Sequence, residues 1–138
     1  MKNLILAALV LFAYVLVDAQ TLKSSNQLTI GSISSNGTIK GSNNVTVGYI
    51  NGESIKNSSN QTIGYIKGGT IKDKSNRTIG SVDSNGRVKN ARNVTIGYIK
   101  SNGDVQNAKQ VRVGYAKGVK REWAAIAFFF FDFDKKLK

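Results

Sequence analysis

Two residue types that could hold a ligand recur along this sequence at a nearly constant spacing. Lysine and tyrosine occupy matching places in successive segments, at Lys40, Lys56, Lys72, Lys89 and Lys120 and at Tyr49, Tyr65, Tyr98 and Tyr115. A ring of lysine ammonium groups attracts phosphate or carboxylate groups, and outward tyrosines offer flat surfaces to sugars or to a lipid interface. These lysines and tyrosines are therefore the predicted ligand-binding residues.

Structural explanations compete with ligand binding for both residue types. Lysine on an exposed strand protects a sheet from pairing with the edge of another sheet. Tyrosine favours strands and packs against neighbouring hairpins. The sequence leaves both explanations open beside the functional one.

Catalytic chemistry finds little support in the composition. The sequence contains no histidine and no cysteine, which removes the common general base, the thiolate nucleophile and the typical zinc and copper ligands. Asp132 and Asp134 stand beside Lys135 and Lys136, which favours a surface ion-pair cluster. A hydrolase using Asp132 or Glu53 is the remaining enzymatic alternative. The sequence predicts a non-enzymatic protein with no metal and no cofactor.

The charge balance indicates the class of partner. Lysine and arginine together number 20 against 8 acidic residues, a net charge of +12. Such a basic protein favours anionic partners. We expect a lipid head group or a glycan, in preference to nucleic acid.

The first nineteen residues have the features of a signal peptide. A basic start at Lys2 precedes an apolar run over residues 4–17, and Val17-Asp18-Ala19 resembles a cleavage site. The run falls short of the roughly 18 residues that cross a bilayer, so a retained anchor is the less favoured alternative. The sequence predicts a signal peptide at 1–19 and export to the periplasm, the cell envelope or the extracellular space.

The tyrosines belong to one short strand motif that occurs six times, at intervals of 16 or 17 residues, and the lysines lie in the second short strand that is predicted after it. Its copies are Thr29–Ile33, Thr46–Ile50, Thr62–Ile66, Thr78–Val82, Thr95–Ile99 and Arg112–Ala116. Turn dipeptides such as Asn36-Gly37 and Asn85-Gly86 follow the copies and tolerate the positive φ of tight hairpins. Second short strands are predicted beyond the turns, at Ile39-Lys40, Ile55-Lys56, Ile71-Lys72, Val88-Lys89, Val105-Gln106 and Val119-Lys120. Each repeat is therefore a predicted β-hairpin, and the hairpins must pair into a sheet that stacks or closes.

The glycine inside the motif allows two interpretations. A β-bulge there would turn both Ile30 and Ile33 toward the core, leave Thr29 and Ser32 outside, and bend the strand as a small barrel requires. Alternatively, the glycine permits close approach of another backbone.

The C-terminal segment breaks the repeat. Residues 123–133 are apolar without two-residue alternation, so the segment must be buried on all sides. A helix over about 121–133 would span a shallow barrel from rim to rim. A final strand is the alternative, because phenylalanine favours sheets.

The repeats of Thr-Ile-Gly-Tyr-Ile with an Asn-Gly turn, ending in Trp123-Ala124-Ala125-Ile126-Ala127-Phe128-Phe129-Phe130, resemble the β-flower proteins, and the count fits their five-fold form. The resemblance implies an all-β fold: a shallow closed barrel of about five to six hairpin repeats with a C-terminal hydrophobic helix in its centre, forming one domain over 20–138. It implies no activity. The architecture is similar to the Tubby C-terminal and phospholipid scramblase barrels, but fold analogy alone does not establish lipid binding. Whether the sixth copy closes the ring or caps it stays open.

Two functional hypotheses follow. The first is a non-enzymatic exported protein that presents a basic, tyrosine-bearing surface to an anionic lipid head group or glycan. The alternative is a self-assembling surface or matrix subunit, since stacked identical repeats are typical of secreted fibres.

Overall fold

A computed structural model describes residues 20–137 of the chain. Within these residues, twelve antiparallel strands follow one another in chain order around a closed barrel, in which the last strand pairs with the first. The predicted signal peptide lies outside the described residues. The strands are β1 Gln20–Ser24, β2 Thr29–Ile33, β3 Thr38–Gly41, β4 Thr46–Asn51, β5 Ser54–Asn57, β6 Thr62–Lys67, β7 Thr70–Asp73, β8 Thr78–Val82, β9 Arg87–Asn90, β10 Thr95–Ile99, β11 Asp104–Asn107 and β12 Arg112–Tyr115. The predicted closed all-β barrel is confirmed.

The barrel has two different rims. At the turn rim, short turns such as 34–37 and 83–86 join each of the first five motif strands to the strand that follows it. At the connector rim, four-residue connectors lead into the next motif strand, at 25–28, 42–45, 58–61, 74–77, 91–94 and 108–111. The connectors use one left-handed residue each, for example Asn44 at a φ of 65° and Asn60 at 65°.

Alternation along the strands separates an apolar interior from a polar wall. In β2, Gly31 and Ile33 are buried, while Ser32 between them is half-buried on the outside. The wall contributes twelve buried apolar side chains, one from each strand or the residue after it. They are Leu22, Ile33, Ile39, Ile50, Ile55, Ile66, Ile71, Val82, Val88, Ile99, Val105 and Ala116.

The bulge and the close approach are both present at the motif glycine. Leu22 pairs with Gly31 and Lys23 with Thr29, so Ile30 is the extra residue of a bulge. Ile30 is partly buried and packs against the core beside Ile33. A Cβ added at Gly31 would also collide with the carbonyl oxygen of Lys40 on the neighbouring strand. The six motif strands share the bulge and the close approach to a carbonyl oxygen, but in β12 the bulge residue, Val113, is 37% exposed.

The sixth motif copy closes the ring. Its strand β12 pairs with β11 on one side and with β1 on the other, where Lys23 lies opposite Tyr115. The predicted second strand at Val119-Lys120 is wrong, because the chain there leads into a helix and Lys120 occupies the N-cap position. Its place in the sheet is taken by β1, which comes from the other end of the domain.

Two helices end the domain. Helix α1 spans Arg121–Phe129 and helix α2 spans Phe133–Lys136. Phe131 and Asp132 separate them in the left-handed region, at φ values of 61° and 59°. The plug helix is therefore confirmed and the alternative of a final strand is wrong, although the predicted range 121–133 contains this break.

The plug consists of α1, α2, the residues joining them and Leu137, which follows α2. It runs from the turn rim toward the connector rim. At the turn rim the guanidinium of Arg121 donates a hydrogen bond to the backbone carbonyl of Ser84. Ala124, Ala125, Ile126 and Ala127 are fully buried inside the barrel. The small size of the three alanines allows a helix to fit within so narrow a ring.

Each motif glycine lies beneath one side chain of the plug. A Cβ added at any of these glycines would come within 3.0 Å of that side chain, closer than real contacts allow. The pairs are Gly31 with Leu137, Gly48 with Phe133, Gly64 with Phe131, Gly80 with Phe130, Gly97 with Phe129 and Gly114 with Phe128. Glycine is thus required at the motif's inward position because a plug side chain and a carbonyl oxygen of the neighbouring strand together occupy the space of a Cβ.

Candidate functional site

The outer wall carries a belt of lysine and tyrosine side chains. Lys56 lies opposite Tyr49, and Lys72 lies opposite Tyr65, as direct cross-strand neighbours. Lys40 and Lys89 face serines instead, at Ser32 and Ser81. All four lysines are half-buried, which means that their aliphatic stems lie along the wall while their ammonium groups remain accessible. The structure therefore places Lys40, Lys56, Lys72 and Lys89 in one belt.

Lys120 does not belong to this belt. Its Nζ lies 4.8 Å from the centre of the Trp123 ring at the start of α1. The equivalent position in the sheet is held by Lys23, whose strand was missed because it precedes the first full motif copy. The sequence does carry a signal for it, since Thr21-Leu22-Lys23 matches Thr38-Ile39-Lys40.

The predicted tyrosines all lie half-buried on the outer wall. Lys100 Nζ lies 5.6 Å from the centre of the Tyr98 ring, and the Arg112 guanidinium lies 4.8 Å from that of Tyr115. Tyr98 faces Gln106 across the sheet, at the position where the other repeats have a lysine. Gln106 Oε1 is buried with no hydrogen-bond partner among the described residues. The surroundings of Tyr98 therefore differ from those of Tyr65 and Tyr115.

Two equivalent grooves combine a tyrosine with two lysines. The Tyr115 groove encloses about 490 Å³ beside Lys23 and Lys117. The Tyr65 groove encloses about 260 Å³ beside Lys67 and Lys72. In each groove one lysine lies across the sheet from the tyrosine and the other follows it by two residues. Tyr49 lacks the second lysine, because Asn51 occupies that position.

The two grooves differ in their acidic neighbours. Glu53 lines the Tyr65 groove and offsets part of its positive charge. Asp104 lies near the Tyr115 groove, but it is engaged by Arg112, with 3.1 Å between Oδ2 and Nη2. That contact raises the pKa of Arg112. The Tyr115 groove is consequently the more positive of the two.

Two other carboxylates, Asp73 and Asp132, have structural partners. Asp73 Oδ1 accepts hydrogen bonds from the backbone N–H groups of Arg77 at 3.0 Å and Ser75 at 2.9 Å. The Arg77 backbone contact is the main cause that lowers the pKa of Asp73. Asp132 Oδ1 lies 3.7 Å from Lys135 Nζ on an exposed surface, in agreement with the predicted ion pair. Among residues 20–137, no group of histidine, cysteine and acidic side chains is arranged to hold a metal ion.

No helix in the described part of the chain is long and apolar enough to cross a membrane.

A protein-family model described as "5-fold beta-flower protein" matches residues 19–132. No curated protein and no solved structure matches the chain. Because the match covers most of the sequence, the chain belongs to the five-fold β-flower family. In its ring five motif strands continue through a short turn into the next strand, and the sixth closes onto β1.

Proposed function

We propose that this five-fold β-flower protein is a non-enzymatic exported protein whose outer wall binds an anionic group, a phosphate, sulfate or carboxylate carried by a lipid or by a glycan. The observation that carries the proposal is the repeated groove in which two lysines flank one tyrosine. The ammonium groups provide the charge that an anion requires. The tyrosine ring provides a flat apolar surface for the rest of the ligand.

The position of the lysines supports binding rather than solubility alone. The belt lysines are half-buried beside tyrosine or serine, whereas Lys74 and Lys109 on the connectors are exposed. A lysine held along the wall loses less conformational freedom when it binds. In each groove one lysine of this kind, Lys23 or Lys72, is joined by an exposed lysine, Lys117 or Lys67, and together they form a better anion site than two exposed connector lysines.

The Tyr115 groove is the stronger candidate of the two. It is the larger groove, and Lys23 and Lys117 approach it from neighbouring strands. Arg112 stacks on Tyr115 and holds the ring in place. The Tyr65 groove contains Glu53, which repels an anion. We expect the first groove to contribute more to affinity.

Self-assembly through strand edges has less support as an alternative. Each of the twelve strands within residues 20–137 has a neighbour on both sides, and pairing of sheets from different chains needs a free edge.

The test is co-sedimentation of the mature protein with neutral and anionic liposomes, and retention on a sulfated polysaccharide, at low and moderate salt. The test variant is Lys23→Gln/Lys117→Gln. The control is Lys74→Gln/Lys109→Gln, which removes the same charge from exposed connectors. With roughly 1 kcal/mol for each lysine near an anionic surface, the test variant should bind about thirtyfold more weakly.

Each outcome has a definite meaning. Liposome binding identifies the lipid as the source of the anion, and retention on polysaccharide identifies the glycan. An equal loss of binding in both variants would show that net charge alone is responsible. It would overturn the assignment of the Tyr115 groove as the binding site. No binding of the native protein at low salt to either material would overturn the proposal.

A further inference from the structure

A cavity of about 580 Å³ lies between Phe128 and Leu137, which are the first and the last plug residues that lie over a motif glycine. The plug residues cover the glycines in reverse order of the strands, from Phe128 over Gly114 on β12 to Leu137 over Gly31 on β2. Strand β1 lies between these two strands. We call this place beside β1, where the row of plug side chains over the glycines is interrupted, the seam. The cavity opens there between Phe128 and Leu137, which makes it unique in an otherwise repeated ring.

The interior of the cavity is apolar. Phe128, Phe129 and Leu137 belong to the plug, and Leu28, Ile30 and Val113 belong to the wall. Leu28 is 63% exposed and Val113 is 37% exposed. Covering such side chains with an apolar group removes them from water, which is favourable. The volume falls within the range of about 300 to 1,000 Å³ that is typical of small-molecule sites.

The polar side chains around the cavity are neutral. Among the described residues they are hydroxyl and amide groups only, contributed by Ser24, Asn26, Thr29, Ser42 and Asn107. These groups donate and accept hydrogen bonds. Burying a charged head group among them, without an opposite charge in the lining, would be costly.

We propose that this seam cavity binds a neutral amphiphile, with an alkyl chain against Phe128, Phe129 and Leu137 and a hydroxyl-bearing head group at Ser24, Asn26 and Asn107. A monoacylglycerol has this chemistry. The site is independent of the basic belt, because its lining residues do not include any of the belt lysines or tyrosines.

The test uses N-phenyl-1-naphthylamine, a neutral fluorophore that brightens in apolar sites, and its displacement by a monoacylglycerol below the critical micelle concentration. The variant is Leu28→Asp. The control is Val94→Asp, at the equivalent connector position, which is 55% exposed and lies outside the cavity lining. We expect Leu28→Asp to weaken probe binding about five- to tenfold and Val94→Asp to leave it unchanged. Circular dichroism of both variants checks that the fold is retained.

Three results would overturn the proposal. These are no saturable probe binding by the native protein, equal loss in both variants, and displacement by a fatty acid carboxylate more effectively than by the neutral monoacylglycerol. In the Lys23→Gln/Lys117→Gln variant probe binding should stay at the native level. The failure of one proposal is therefore distinguishable from the failure of the other.

Discussion

On the outer wall the repeats present similar side chains at each step, whereas inside the barrel each motif glycine meets a different residue of the plug. The belt repeats a lysine beside a tyrosine or serine. The plug is one linear segment whose side chains lie over a ring of glycines, and it leaves a cavity between Phe128 and Leu137. Repetition thus produces several equivalent surface sites, and broken symmetry produces one unique site.

Within the plug, burial differs between the side far from the seam and the seam itself. Phe133 is fully buried, whereas Phe128 is half-buried beside the cavity. We expect Phe133→Ala to lower the free energy of unfolding by about 3–5 kcal/mol and Phe128→Ala by about 2 kcal/mol. Urea denaturation followed by fluorescence of Trp123, the only tryptophan, measures both. Equal losses would contradict the difference in packing.

Replacing a glycine of the wall should cost more stability than replacing a glycine of a turn. A Cβ at Gly80 would collide with the Phe130 ring and would lie 2.6 Å from the carbonyl oxygen of Lys89. We expect Gly80→Ala to cost about 3 kcal/mol of stability. Gly52 has open space around it but a φ of +62°, so Gly52→Ala should cost about 1 kcal/mol. Thermal denaturation of the two variants makes the comparison, and a reversed order would refute it.

The belt should contribute little to stability. Lys72→Gln removes a charge from the outer wall and leaves the core untouched, so its free energy of unfolding should stay within about 0.5 kcal/mol of the native value. The same denaturation experiment measures it. A loss comparable to that of Phe128→Ala would make Lys72 a packing residue and would weaken its assignment to a binding groove.

The smallest expected effect concerns a connector carboxylate. Asn57 accepts hydrogen bonds from the N–H groups of Ser59 and Gln61, as Asp73 does from Ser75 and Arg77. Asp73→Asn should therefore preserve the hydrogen bonds of the connector. It should remove only the part of the stabilisation that depends on the charge of the carboxylate. The pKa of Asp73 is lowered in the folded protein. Its charge therefore contributes to the free energy of unfolding at a pH above the pKa of Asp73 in the unfolded chain, and this contribution is lost as the pH falls through its pKa in the folded protein.

Melting temperatures of the native protein and of Asp73→Asn should accordingly differ slightly at neutral pH. The difference should shrink as the pH falls below about 4. A difference that grows on acidification would have the wrong sign for this explanation.

Local patterns predicted five of the six hairpins and gave the bulge and the C-terminal helix each as one of two interpretations, because these features depend on residues close together in the chain. The pairing of β1 with β12 was not predicted, although Thr21-Leu22-Lys23 repeats the pattern of Thr38-Ile39-Lys40. A half repeat at the start of a domain identifies its partner only after the ring is known to close. Lys120 was consequently assigned the position that Lys23 holds.

The glycine–aromatic pairs and the seam cavity could not be predicted from the sequence. Periodicity showed that the C-terminal segment is buried, but not which side chain lies over which glycine. That order depends on the left-handed break at Phe131 and Asp132, which turns the chain after α1 so that Phe133 and Leu137 reach Gly48 and Gly31. Phenylalanine seldom adopts the left-handed conformation, so the residue type at Phe131 gives no signal of the break.

The most direct test of this account is a double-mutant cycle between Gly80→Ala and Phe130→Leu, with Gly52→Ala and Phe130→Leu as the control cycle. The shorter leucine removes the ring atoms that collide with a Cβ at Gly80. The double variant should therefore be more stable than the sum of the single losses predicts, by about 1 kcal/mol or more, while the control cycle should be additive within about 0.5 kcal/mol. Additivity in both cycles would contradict the pairing of plug side chains with motif glycines.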